Sequence, residues 1–177
     1  VLHLVLERCV VRSYRDSDVA SLVQHADNPK IWRNVRDRFP HPYRRAEGEA
    51  WVRVARARVP ETSFAIDVGG HAVGGIGLEL QEDVYRRSAE LGYWLGEAHW
   101  GRGIATDAVR GLTEWAFGRF DLCRIYAKVF EWNPASARVL EKAGFALEGR
   151  LQAAVTKDGA SLDELLYALV RRRPPVP

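Results

Sequence analysis

"HWGRGIATDAVRGLTEWAF", His99 to Phe117, sets two glycines around an arginine and runs directly into an amphipathic repeat. Glycine reaches torsions that other residues avoid and lets a ligand come close to the backbone. Its crowding against a helix start points to a phosphate cradle, and spacing separates the kinds of cradle. A mononucleotide loop needs G-x-x-x-x-G-K-[ST], and no lysine follows any glycine in this chain. A dinucleotide fingerprint needs a third glycine or alanine; Gly101 and Gly103 fit it, but Thr106 stands at the third position. Its acidic partner would be Asp121, which precedes the next strand instead of closing it. What fits is a pyrophosphate on the open amides of Gly101, Arg102, Gly103, Ile104, Ala105 and Thr106, with Arg102 adding charge. A tight turn that merely needs glycine torsions is the plain alternative.

The flanking periodicity supplies the rest of the fold. "TSFAIDV" (Thr62 to Val68) and "HAVGGIGLEL" (His71 to Leu80) alternate around Gly69-Gly70, a hairpin signal. "RSAELGYWLG" (Arg87 to Gly96) and "CRIYAKVF" (Cys123 to Phe130) read as strands on either side of the glycine-flanked helix. "NPASARVLEKAG" has Pro134 in a first turn and Gly144 as its stop. "FALEGRLQAAV" and "SLDELLYALV" flank a second hairpin at Lys157-Asp158-Gly159. Earlier, Cys9 to Ser13 alternates like a short strand. "DSDVASLVQHA" then offers Asp16 or Ser17 as a helix cap, with Val19, Leu22, Val23 and Ala26 facing inward. Asn28-Pro29 ends that helix, and a loop with one short helix leads to "EGEAWVRVARARV", which is helical until Pro60. This order predicts an α/β fold of the mixed α+β kind, with a mixed sheet of about seven strands flanked by about four helices. One domain is expected over residues 1–171, then a short polar tail at 172–177.

The bulk numbers exclude several classes of function. A net charge of +3 does not call for direct nucleic-acid binding, while a pI near 9.0 suits an anionic ligand. Cys9 and Cys123, the only two cysteines, lie far apart without metal-ligand spacing, so no metal is expected. No apolar run approaches the roughly 20 residues that span a bilayer, and the opening lacks a leader's basic-then-apolar shape. A cytoplasmic protein without membrane contact is the expectation.

At Trp100-Gly101-Arg102-Gly103-Ile104-Ala105 the chain resembles the GNAT superfamily of acyl-CoA N-acyltransferases, whose signature is Gln/Arg-x-x-Gly-x-Gly/Ala. Trp100 departs from that pattern, but "YWLGEAHWGRGIATDAV" is similar to the RimJ/RimL-type branch, which acetylates N-terminal residues of ribosomal proteins. "NPASARVLEKAGFALEGRL", "DELLYALV" and, more weakly, "LERCVVRSYRDSD" agree, so the resemblance runs through nearly the whole chain. It implies a GNAT fold with a mostly antiparallel sheet, splayed between its fourth and fifth strands, here Ala89 to Leu95 and Arg124 to Phe130. It also implies acetyl-CoA as cosubstrate, its diphosphate on the glycine turn and its pantetheine arm paired with backbone near Leu95 and Gly96.

The resemblance assigns further roles. Asn133 would contact the pantetheine, although it also suits a helix cap. Ser136 takes the acid or thiolate-stabilising role, because the position where many relatives carry a tyrosine is Leu140. Arg138 and Lys142, four residues apart on one helical face, would meet the 3′-phosphate or form a solvated face. Glu90 is the favoured general base, with Glu79 or a water relay as alternatives. The acceptor surface would include Trp32, Phe39, Tyr43 and Glu79. The arginines Arg33, Arg36, Arg38, Arg44 and Arg45 either select an acidic peptide or form a solvated run.

An α-amine titrates at roughly 7.7–8.0 and a lysine near 10.4, so neutralising them at pH 7 costs about 1 and about 5 kcal/mol. With no cluster of histidines or paired carboxylates legible around the motif, an α-amine suits the chain better. The implied activity is acetyl transfer to the N-terminal α-amine of a protein, a ribosomal one in the first instance, by direct attack in a ternary complex. A small amine (polyamine, aminoglycoside or amino acid) is the alternative acceptor, and a non-catalytic acyl-CoA-binding domain is the alternative outside enzymes. A homodimer is left open.

Overall fold

The structure is a computed structural model, and it describes residues 1–172. The tail expected from 172 therefore lies outside the described residues from 173 onward. Among the described residues, eight strands form one sheet: β1 (His3–Val5), β2 (Val10–Arg12), β3 (Ser63–Val68), β4 (His71–Leu80), β5 (Ser88–Leu95), β6 (Arg124–Phe130), β7 (Ala146–Lys157) and β8 (Ala160–Val170). Five helices accompany them: α1 (Val19–Ala26), α2 (Pro29–Trp32), α3 (Arg45–Ala57), α4 (Ile104–Arg119) and α5 (Pro134–Lys142).

The count exceeds the expected seven strands because the chain turns back on itself at the start. His3 pairs with Arg12 and Val5 with Val10, so a three-residue strand joins the edge with too few positions to leave a readable alternation. The fifth helix is the single turn at Pro29, where Asn28 Oδ1 accepts from the Lys30 amide at 2.9 Å. Asp16 and Ser17 do not cap α1. They lie in a 3-10 turn, and Asp18 is the residue at the cap.

Both predicted hairpins form. Gly69 and Gly70 have φ of +63° and +89°, and Asp158 and Gly159 have +51° and +74°. Two successive positive torsions make the turn whose twist matches paired strands. Gly144, at φ +94°, ends α5: its amide reaches the Glu141 carbonyl and the Phe145 amide reaches that of Leu140, each at 3.0 Å.

The sheet order is β1-β2-β3-β4-β5-β6-β8-β7. Neighbours run antiparallel except β5 and β6, which are parallel. That parallel pair is registered only at Ser88↔Arg124, Ala89↔Ile125 and Glu90↔Tyr126. Beyond Glu90 the two strands part, while β5 stays registered with β4 to Leu95 and β6 with β8 to Phe130. The result is a wedge opening toward the start of α4.

Each face of the sheet carries its own core. α4 and α5 pack on one face through Leu112, Ala116 and Leu140 against Phe64, Ile66, Leu91 and Ile125. α1 and α3 cover the other, with Leu22, Ala26 and Val52 over Ala65 and Ala72. Strand alternation sorts β5 between them: Leu91 and Tyr93 belong to the α4–α5 side and Trp94 to the α1–α3 side. Under α1 lies a buried ion cluster. Arg12 is 2% exposed, donates from Nε to Asp67 at 2.6 Å, and grips both oxygens of Asp18 at 2.8 Å. Its two carboxylates hold the guanidinium firmly protonated against the opposing effect of burial.

Candidate active site

The glycine turn lies at the wide end of the wedge. Gly101 and Gly103 have φ of +71° and +76°, the left-handed region where a Cβ is strained. The first helical bond of α4 runs from the Asp107 amide to the Gly103 carbonyl at 3.0 Å, and no side chain caps Gly103. The helix therefore begins at Ile104. Its first amides point outward with the positive end of the helix dipole. Gly101, Arg102 and Gly103 are exposed, Ala105 and Thr106 are half-buried, and Ile104 is buried, its side chain anchored in the core.

A cavity of about 370 Å³ adjoins the turn, lined by Arg102, Gly103, Thr106, Arg8, Arg110 and Lys142 together with Glu7 and Asp107. Four cations against two carboxylates leave the cavity positive. Lys142 lines the cavity, whereas Arg138, exposed on the same helix, does not. Arg8 and Arg110 take the remaining cationic positions, and both escaped the sequence reading. Arg8 comes from the β1–β2 turn, and its amide donates to Asp107 Oδ2 at 2.8 Å, a contact spanning 99 residues that no local pattern encodes.

Leu95 and Gly96 are less free than expected. The Gly96 amide donates to the Val73 carbonyl at 2.8 Å, extending the β4 ladder past the strand end. The Leu95 carbonyl accepts from the Trp100 indole at 2.7 Å, which gives a purpose to the tryptophan that departs from the signature. A Cβ on Gly96 would meet His25 Nδ1 at 2.6 Å, so this glycine makes room for α1. The Gly96 N–H is thus spoken for.

Across the wedge, Asn133 caps α5, accepting from the Ser136 amide at 3.2 Å. Ser136 Oγ lies 2.7 Å from the hydroxyl of Tyr93, which sits on β5 beyond the point where the strands part. The sequence reading missed Tyr93; its side in the strand alternation was legible, its partner 43 residues away was not.

On the α1–α3 side, Glu90 and Glu79 are directly opposed across the β4–β5 ladder. Arg36 pairs with Glu90 and Arg38 with Glu79, so two arginines expected to form a basic surface instead neutralise the twin carboxylates. Glu90 is 16% exposed and Glu79 50%. Arg33 stacks over the Trp132 ring at 4.6 Å, and Arg45 pairs with Glu49 within α3. Trp32 stacks on His41, with Lys157 Nζ 3.8 Å from its ring centroid. That buried lysine also donates to Asp37 Oδ1 at 2.6 Å and ties the second hairpin to the loop. Phe39 packs edge-on against Trp94. Tyr43 is only 4% exposed, inside the core, so its ring cannot line an open acceptor surface. Burial also pushes the Cys9 thiol up to about 12, which keeps it protonated near neutral pH and unfit as an acyl carrier.

Known proteins are similar to this chain in sequence and fold. A relative from Bacillus licheniformis, described as an uncharacterised N-acetyltransferase, is 38% identical over 110 residues, covering 62% of this chain and 61% of its own length. The ribosomal-protein-serine acetyltransferase of Escherichia coli is 38% identical over 84 residues, 48% of this chain and 47% of its own. The chain thus spans about half to three-fifths of the length of these curated relatives. Among solved structures, RimJ of Mycobacterium smegmatis, in complex with CoA-disulfide, superposes with a TM-score of 0.82 at 28% identity, covering 96% of this chain and 87% of that one. The acetyltransferase (GNAT) domain profile matches residues 8–146, a span that holds the splayed strands and the glycine turn, and the chain belongs to the GNAT acetyltransferase family.

Proposed function

We propose that the chain is an acetyl-CoA-dependent N-acetyltransferase whose acceptor is the N-terminal α-amine of a protein, with ribosomal proteins as the first candidates. The observation that carries this reading is the uncapped helix start at the mouth of the wedge, beside a cavity of net positive charge. A diphosphate and a 3′-phosphate fit that chemistry: open amides for one, and Arg8, Arg110 and Lys142 for the other. The unpaired edges of β5 and β6 beyond Glu90 offer backbone groups to a peptide-like pantetheine arm.

In this reading Glu90 takes the proton from the attacking nitrogen. The acceptor's ammonium exchanges with the Arg36 guanidinium at the same carboxylate, a like-for-like replacement of charge. Ser136, on the far side of the wedge, hydrogen-bonds the departing sulfur. Because Arg36 and Arg38 already balance Glu90 and Glu79, the acceptor side is not the acidic trough that a polycation would need. This favours a single α-ammonium over a polyamine. The Escherichia coli relative, a ribosomal-protein-serine acetyltransferase, supports a protein acceptor.

Thiol release from acetyl-CoA, followed with N-terminal peptides of ribosomal proteins, with spermidine and with free amino acids, tests the reading. Turnover with serine- or alanine-starting peptides at least about tenfold above spermidine in kcat/KM is the expected result. Turnover confined to the small amines overturns the protein acceptor. Binding of acetyl-CoA without turnover on any acceptor overturns the enzyme.

A further inference from the structure

Tyr93 projects from the part of β5 that has left β6, and its side chain meets α5 on the opposite side of the wedge. The phenol oxygen lies 2.7 Å from Ser136 Oγ and 3.2 Å from the Ser136 carbonyl oxygen. A serine hydroxyl has one hydrogen to give and two lone pairs to receive. If Ser136 gave its hydrogen to Tyr93, none would remain for a ligand. If Tyr93 gives its hydrogen to Oγ, the serine hydrogen is turned elsewhere.

We infer that Tyr93 is a positioning residue for the acyl transfer proposed above: it donates to Ser136 Oγ and so aims the serine hydrogen at the sulfur that leaves. This rests on the acetyltransferase reading and names a further residue of the same site.

Three observations place Tyr93 for that role. The phenol lies 2.7 Å from Oγ, where either hydroxyl can donate, and 3.2 Å from the carbonyl oxygen, so the hydroxyl is its nearer partner. Burial pushes the phenol up to about 12, even though the bond to Ser136 pulls it back, so Tyr93 keeps its hydrogen through the neutral range. Asn133 holds the Ser136 amide, so the side-chain torsions alone set where the serine hydrogen points.

The chemistry balances without a proton from either residue. The acceptor nitrogen bonds to the acetyl carbon, the C–S bond breaks, and its electron pair stays on sulfur. The nitrogen's proton passes to Glu90 or water. A thiol of this kind titrates near 8.5, far below a serine hydroxyl, so the thiolate draws a hydrogen bond and not the proton itself. Ser136 and Tyr93 end the step as they began it.

The alternative is that the bond simply fastens β5 to α5. Tyr93→Phe, Ser136→Ala and the double variant separate the two, assayed for kcat and KM by thiol release, with acetyl-CoA affinity by calorimetry and the thermal midpoint alongside. Tyr93→Phe keeps the ring, so kcat is expected to fall about tenfold while KM and affinity move less than about twofold. Ser136→Ala falls at least as far, and the double variant falls no further than Ser136→Ala alone. Ser136→Thr retains the hydroxyl, keeps most of the turnover, and remains sensitive to Tyr93→Phe. Losses that multiply in the double variant, or a Tyr93→Phe enzyme changed only in KM or thermal midpoint, overturn the inference. Absence of acetyl-CoA binding and thiol release in the unmodified chain instead defeats the acetyltransferase reading on which it stands.

Discussion

Glu90→Gln is expected to lower kcat for an α-amine acceptor by about 10²- to 10³-fold at pH 7. The swap keeps the side chain's shape and removes its ability to take a proton. At pH 7 about one α-amine in ten is already neutral, and about nine in ten are neutral at pH 9. The penalty should therefore shrink as pH rises through 8, because solvent then does part of the work assigned to the carboxylate. Stability is a separate readout. The ion pair with Arg36 has one partner 44% exposed, and pairs of that kind contribute about 0–1 kcal/mol. A variant with near-native melting and a pH-dependent loss of kcat supports the base; unchanged kcat from pH 6 to 9 gives the task to Glu79 or to water.

Arg12→Met should cost about 3–5 kcal/mol of folding stability, measured as a shift of the urea unfolding midpoint. The guanidinium is the counter-charge for Asp18 and Asp67, which are 3% and 6% exposed. Methionine fills much of the same space but leaves two buried carboxylates without a cation. The loss would spread to the site, because Asp18 sits at the start of α1 and α1 seats against Gly96 through His25. A cost below about 1 kcal/mol would mean that water reaches the cluster and that burial of the three groups is not what fixes α1.

The legible parts of this chain are those governed by short-range rules. Gly69-Gly70 and Asp158-Gly159 announced their hairpins because only certain residues accept the torsions of those turns. Alternation along "AELGYW" sets Glu90 and Trp94 on one face and Tyr93 on the other, and β5 keeps that division for Trp94 and Tyr93. The glycine turn was recognisable because its chemistry resides in backbone amides, which any glycine-flanked helix start exposes.

Illegible were the partnerships between side chains far apart in sequence. Arg36 to Glu90 spans 54 residues, Arg12 to Asp67 spans 55 and Arg8 to Asp107 spans 99. A run of arginines carries the same local signal whether it meets water, a substrate or the chain's own carboxylates. For the same reason Lys142 and Arg138 looked equivalent on one helical face, although only Lys142 lines the cavity. Tyr43 misled in the opposite sense: an aromatic in a loop reads as a surface contact until the loop folds it inward.

Calorimetric titration of the purified chain with acetyl-CoA tests the central claim most directly, with Gly103→Val as the paired variant. At φ +76° a β-branched residue is strained, and its Cβ would come within 3.1 Å of Arg8 Nε at the cavity wall. One molecule of acetyl-CoA taken up per chain, with affinity lowered at least about tenfold in Gly103→Val, is what the open helix start predicts. No uptake of acetyl-CoA or coenzyme A by the unmodified chain would contradict it.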